Sequence, residues 1–292
     1  MSAGLTTAVT PARPAAPDSR STLLSLARAD AWRYARHPLF VIPCLVIVCS
    51  AILDLVEHRG GTNPMVDTMT TAFLFGVFGF ILAHRLTTSL RRTTDLVGTV
   101  PVDQQMRTLS LCLACLVSAA AGTVCAVYLL IVNAIWPPEG VPPGAPVTWF
   151  GDYPAVDVVA TLLAMGPVAT LGGPLLGVAV ARWAPFRGSA MLGVVVLVVA
   201  TAIPASDERG GAERLASAWP VLVDEHVVNG RNLSSTFVPD IEPVWALGWV
   251  LCLCGLAVVA ALLRDPGHRR QLLVLGGALT AAAAACFGLA LS

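Results

Sequence analysis

The amino-acid sequence predicts an all-α polytopic membrane protein of six to seven transmembrane helices, preceded by an N-terminal amphipathic interfacial helix. Three observations carry this. Hydrophobic residues make up 56% of the 292 and charged residues only 12%, whereas soluble domains carry roughly 25% charged side chains. Seven apolar stretches recur along the chain, each near the length of about 20 residues that a helix needs to cross a hydrocarbon core. All 18 basic residues are arginine, with no lysine, and they fall unevenly between alternate loops.

The stretches lie near 39–57, 66–86, 108–135, 155–182, 188–205, 244–263 and 271–291. Each is expected to be helical, because lipid offers no partner for an unpaired backbone N–H. With the N-terminus inside, fourteen arginines fall on the inner side. Only Arg59, Arg209, Arg214 and Arg231 fall outside. The positive-inside rule therefore predicts a multi-pass protein of the cell (cytoplasmic) membrane with a cytoplasmic N-terminus. Seven crossings would place the C-terminus outside, provided that the alanine-rich last stretch crosses. Residues 1–20, rich in Ala, Pro, Thr and Ser, read as a disordered cytoplasmic tail without the apolar run of a signal peptide. Residues 39–291 form the transmembrane domain.

Residues 21–38 form a helix ahead of the first span. At 100° per residue, Leu23, Leu24, Ala27, Ala31, Tyr34 and Ala35 share one face, and Arg28, Arg33 and Arg36 the other. Ser21 can cap its start and Pro38 ends it. Trp32 suits a membrane interface. The segment reads either as a helix lying on the cytoplasmic leaflet with its arginines near anionic head groups, or as a plain positively charged flank.

The cytoplasmic segment 87–107 is longer than a reversal of direction requires. Leu86, Leu90 and Val97 fit a short helix. Gly98 can end it, Pro101 forces a turn, and Asp103 can cap the next helix. Such a helix–turn–helix is a handle for a partner protein. Outside, loop 136–154 is too rich in proline for a helix. Loop 206–243 has a moderately apolar middle, Leu215 to Val228, that fits a short helix in the outer leaflet.

Several classes of chemistry are disfavoured. Without lysine there is neither a phosphate-binding P-loop nor a Schiff base. A net charge of zero gives no attraction for nucleic acid. No ionisable residue stands near the middle of a span, where proton- or ion-coupled transport would need one. No Ser/His pair, paired aspartates or metal motif of an intramembrane protease is apparent. The eight cysteines all lie in apolar runs, so Cys112 and Cys115 read as small apolar side chains rather than a metal or redox pair. No catalytic and no metal-binding residues are assigned. A lipid-modifying enzyme would have to use Asp207, Glu208, Asp224, Glu225 and His226 of the outer loop. In the fourth span, Gly173 and Gly177 have the GxxxG spacing of close helix approach, within the subunit or at a dimer seam, and the prolines imply kinks. Phe73, Phe75, Phe78 and Phe80 either line an apolar path or pack.

The order of amphipathic helix, Arg33, His37-Pro38, first span, short loop, second span and then Arg91-Arg92-Thr-Thr-Asp95-Leu96-Val-Gly-Thr99-Val-Pro101-Val102 resembles the membrane subunits of ABC-2-type transporters. These are bacterial permeases related to type V exporters. The resemblance covers residues 21–263. It implies a permease subunit exporting a lipid, drug or hydrophobic metabolite. It also implies a cytosolic ABC ATPase subunit that binds the ATP and Mg, and a second permease subunit, as a homo- or heterodimer. Arg91, Arg92, Asp95, Leu96, Thr99, Pro101 and Val102 would be the ATPase-coupling residues, and Arg28, Trp32, Arg33 and Arg36 would belong to the interfacial helix. Two features depart from the family: arginines at 91 and 92, where an acidic residue is usual, and a seventh span beyond the usual six. The alternative reading is a non-transporting membrane scaffold or regulatory protein.

Overall fold

The computed structural model describes residues 19–56, 64–97, 103–135, 154–186, 188–202, 211–217, 222–228, 231–237 and 241–292. The described chain is a helical bundle with one small β-hairpin. Helix α1 (Ser19–Arg36) leads into α2 (Pro38–Val56) across a 55° bend at His37. Then come α3 (Pro64–Val97), α4 (Gln104–Ala114) and α5 (Leu116–Ile135), α6 (Ala155–Leu163) and α7 (Ala169–Trp183), and α8 (Ser189–Ala202). Next are a short α9 (Gly211–Leu215), the strands β1 (Val223–Val228) and β2 (Arg231–Phe237), α10 (Pro243–Leu262) and α11 (Arg269–Ala290).

Among the described residues, five helical stretches are long and apolar enough to cross a membrane: Thr68–Ser89, Gln104–Ile131, Ala155–Trp183, Pro243–Leu262 and Arg269–Ala290. A sixth arises if α1 and α2 count as one bent span. The expected span at 188–205 is described only as the 14-residue α8. Residues 203–205 of that stretch lie outside the described residues.

Local chemistry accounts for the bends. Pro38 has no N–H and is tolerated at the first position of α2, where His37 Nδ1 accepts the Leu39 N–H at 3.2 Å. Ser21, expected as a cap, lies inside α1, whose start is at Ser19. Asp103 does cap α4, accepting from the Gln105 N–H at 3.4 Å. Between α6 and α7, the residues Ala164–Val168 form a π-helical turn around Pro167. A proline cannot donate the regular helical bond, and the wider turn absorbs the mismatch.

The outer segment departs from expectation. The stretch from Leu215 to Val228 is not one helix: α9 ends at Leu215, and Val223–Val228 is a strand paired antiparallel with β2 in a register of Val223↔Phe237 to Val228↔Arg231. The all-α prediction is corrected to that extent. β-branched Val223, Val227 and Val228 favour a strand.

Three hydrophobic clusters lie among the described residues, the smallest around Ala72, Phe80, Ala169 and Leu197, and two larger ones organise the bundle. One joins Tyr34, Leu82, Leu111, Leu175, Val178 and Cys254 near the arginine-rich end. The other joins Met165, Leu215, Leu222, Ile241 and Ala246 toward the opposite end. There the Glu242 N–H donates to Ala290 O at 2.8 Å, so the end of α11 sits beside the start of α10, on the side away from α1.

Candidate functional site

Helices α3 and α7 form the closest-packed pair of the bundle. A Cβ on Gly173 would strike the backbone of Gly76, and one on Gly177 the carbonyl of Phe80. The GxxxG pair of the fourth span is therefore spent inside the subunit. A Cβ on Gly79 would come within 2.6 Å of the Pro174 ring and 2.8 Å of Tyr34 Oη. Phe75 and Phe80 are buried in this packing, while Phe73 is exposed.

Of the proposed coupling residues, Arg91, Arg92, Asp95 and Leu96 lie in the last turns of α3. The helix continues unbroken from the apolar window Thr68–Ser89 to Val97. The helix expected near residues 86–97 is thus an extension of the second span, not a separate element. With 34 residues, α3 is about 51 Å long at 1.5 Å per residue, well beyond the hydrocarbon thickness. Thr99, Pro101 and Val102 lie outside the described residues.

Helix α1 packs along α4 at the same end of the bundle. Its buried face is Ala27, Asp30 and Tyr34, while Leu24 is 66% exposed. The apolar face read from the sequence is therefore rotated, because the buried side carries an acid. Ser110 donates to Asp30 Oδ2 at 2.7 Å. Burial raises the Asp30 carboxyl above its ordinary range, with the Ser110 bond, Arg33 and Arg107 opposing. Arg28, Trp32, Arg33 and Arg36 all lie on the exposed side, and the Arg36 guanidinium sits 4.0 Å over the Trp32 ring.

From Tyr34 a polar thread runs to the broken span. Tyr34 Oη lies 2.8 Å from Ser118 Oγ. The Thr170 hydroxyl faces two carbonyls, Ser118 at 3.1 Å and Pro167 at 2.8 Å. Gly122 makes room for it, since a Cβ there would come within 2.6 Å of Thr170 Oγ1. The thread links α1, α5 and the π-helical turn. Sequence reasoning missed it, because 84 residues separate Tyr34 from Ser118 and neither stands in a motif.

Two more polar pairs lie near the arginine-rich end. Arg182, one of the fourteen inner-side arginines, at the end of the expected fourth span, is buried and donates to Asp265 Oδ1 at 2.6 Å and to Ala261 O at 3.4 Å. Trp183 Nε1 donates to Ala260 O at 2.7 Å, which completes the tie between α7 and α10. His84 Nε2 lies 2.8 Å from Ser189 Oγ, so a Ser/His pair, absent from the sequence reading, does form. The Ser189 hydroxyl also lies 2.9 Å from Phe186 O, to which it can donate.

Cys112 and Cys115 are free and buried, and Cys115 Sγ donates to Leu111 O at 3.2 Å. Among the described residues no group of three or more His, Cys, Asp and Glu could hold a metal ion. Asp224, Glu225 and His226 fall on β1; Asp207 and Glu208 lie outside the described residues. No protein-family model matches the chain, and neither does any curated protein or solved structure.

Proposed function

We propose that this chain is the membrane-spanning permease subunit of an ATP-driven exporter of the ABC-2 type. It pairs with a second permease subunit and moves a lipid, drug or hydrophobic metabolite out of the cytoplasm. ATP and Mg are bound by a separate cytosolic ATPase subunit. The arginine-rich end of the bundle faces the cytoplasm, as the charge bias requires.

The observation that carries this reading is the length and seating of α3. The helix runs past its apolar window to Val97, and Gly76 and Phe80 seat it on Gly173 and Gly177 of α7. A push on Arg91, Arg92, Asp95 and Leu96 by the ATPase would reach α7 without passing through a loop. Helix α7 begins at the π-helical turn Ala164–Val168, a place where a helix can change its bend at low cost. The rigid pair α3–α7 would act as the lever, and the π-helical turn as its hinge.

The test is purification of the tagged chain from its native membranes in mild detergent, with the co-purifying proteins identified. A stoichiometric soluble protein with a P-loop is the expected result, and the double variant Asp95→Ala, Pro101→Ala should lower its recovery without lowering membrane insertion. A chain that stays partnerless after crosslinking would overturn the transporter reading.

A further inference from the structure

An open groove of about 620 Å³ lies between α1 and the start of α5, lined by Ser25, Arg28, Ala29, Ala31, Trp32, Ala35 and Val117. Three of those residues are alanines, so an apolar slot runs along α1 where longer side chains would otherwise fill it. Trp32 walls it and is 59% exposed. Arg28 stands at its edge, exposed, with no hydrogen-bond or ion-pair partner among the described residues. Arg36 lies over the Trp32 ring. The acid of this helix, Asp30, points the other way, into its bond with Ser110. Ser25 donates its proton to Thr22 O at 2.8 Å, so Arg28 is the charged donor the groove offers to an anion.

A slot with an apolar floor, an indole wall and one uncompensated guanidinium fits a molecule that is apolar along its length and anionic at one end. We propose that this groove binds one anionic glycerophospholipid, with an acyl chain along Ala29, Ala31 and Ala35 and the head-group phosphate on Arg28. The second positive charge, on Arg36, disfavours a zwitterionic head group, whose terminal cation it would meet. The location agrees: the groove sits beside the 55° bend into α2, where an interfacial helix joins its span. A bound lipid would pin α1 against α5, next to the Tyr34–Ser118 contact. The proposal does not rest on the transporter reading.

The test uses the full chain in phosphatidylcholine vesicles doped with brominated phosphatidylglycerol or with brominated phosphatidylcholine. Quenching of the fluorescence lost in Trp32→Phe isolates this tryptophan. The expected result is quenching by the phosphatidylglycerol at about a fivefold lower mole fraction, the factor that one arginine near an anionic surface supplies. Arg36→Gln should make the two lipids equal, Arg28→Gln should weaken the quenching by both, and Ala29→Leu, which fills the slot at an exposed position, should weaken both as well. Equal quenching in the parent chain, unmoved by Arg28→Gln, would overturn the proposal in favour of ordinary surrounding lipid. Loss of the preference on adding soluble glycerol phosphate would overturn it in favour of a site for a free anion.

Discussion

The Tyr34 hydroxyl and the Ser118 hydroxyl lie 2.8 Å apart in the interior of the bundle, and this bond joins the N-terminal helix to α5. Tyr34 is 1% exposed, so neither hydroxyl can turn to water. Tyr34→Phe and Ser118→Ala should each lower stability by about 1–2 kcal/mol. The double variant should cost little more than either one, because both remove the same bond. Thermal melting in detergent across this cycle reads the coupling, and fully additive effects would exclude it.

Glycines with opposite surroundings should respond in opposite directions. At Gly173 an added Cβ meets the backbone of Gly76, which cannot rotate away. Gly173→Ala should therefore cost about 1–3 kcal/mol or more as α3 and α7 separate. At Gly277 of α11 nothing lies within 4 Å of the new atom. There alanine should leave the fold intact and gain up to about 1 kcal/mol from helix propensity. Melting temperatures of the two variants decide this.

The Arg182–Asp265 pair is closed off from water, with side chains 3% and 11% exposed. Arg182→Ala would leave Asp265 buried without its cation and should destabilise by about 3–5 kcal/mol. Arg264 is exposed, with a 3.4 Å bond to Trp183 O, and Arg264→Ala should cost less than about 1 kcal/mol. Equal losses for both variants, by melting or by detergent-resistant yield, would show that Arg182 acts only as a surface charge.

His37 links stability to pH. Its Nδ1 accepts the Leu39 N–H, which only the neutral imidazole can do. Burial, with the nearby Arg85 charge, lowers its pKa below the usual 6.5. The neutral form is the one the fold favours. The contribution is therefore complete above pH 6.5 and is lost as pH falls through the lowered value. His37→Asn keeps a side-chain acceptor at this cap and should flatten the melting temperature between about pH 7 and pH 5. An unchanged acid slope in that variant would assign the dependence to another group.

Much of the architecture was legible in the chain because a helix that crosses lipid must state its length and apolarity in consecutive residues. That holds for the stretches around Phe75, Leu111, Val178, Val250 and Ala283. Local chemistry was equally legible where it involves neighbours only, as at the Asp103 cap and the bend before Pro38. The loop between Leu215 and Val228 was misjudged because a short run of valines is ambiguous between helix and strand. The face of α1 was misjudged because hydrophobic periodicity assigns an acid to the outside, and only a partner such as Ser110 reverses that.

By itself, then, the sequence determined the class of protein, the approximate spans, the arginine asymmetry and the absence of lysine chemistry. These are properties of composition and of adjacent residues. The tertiary structure decided which small residues touch. Gly173 and Gly177 are spent on α3, not on another subunit. Arg182 is half of a buried ion pair, and Tyr34, Ser118 and Thr170 form one thread from α1 to the π-helical turn. These depend on contacts between residues some 50 to 100 positions apart, and close packing or a buried hydrogen bond leaves no periodic trace in either partner's own segment.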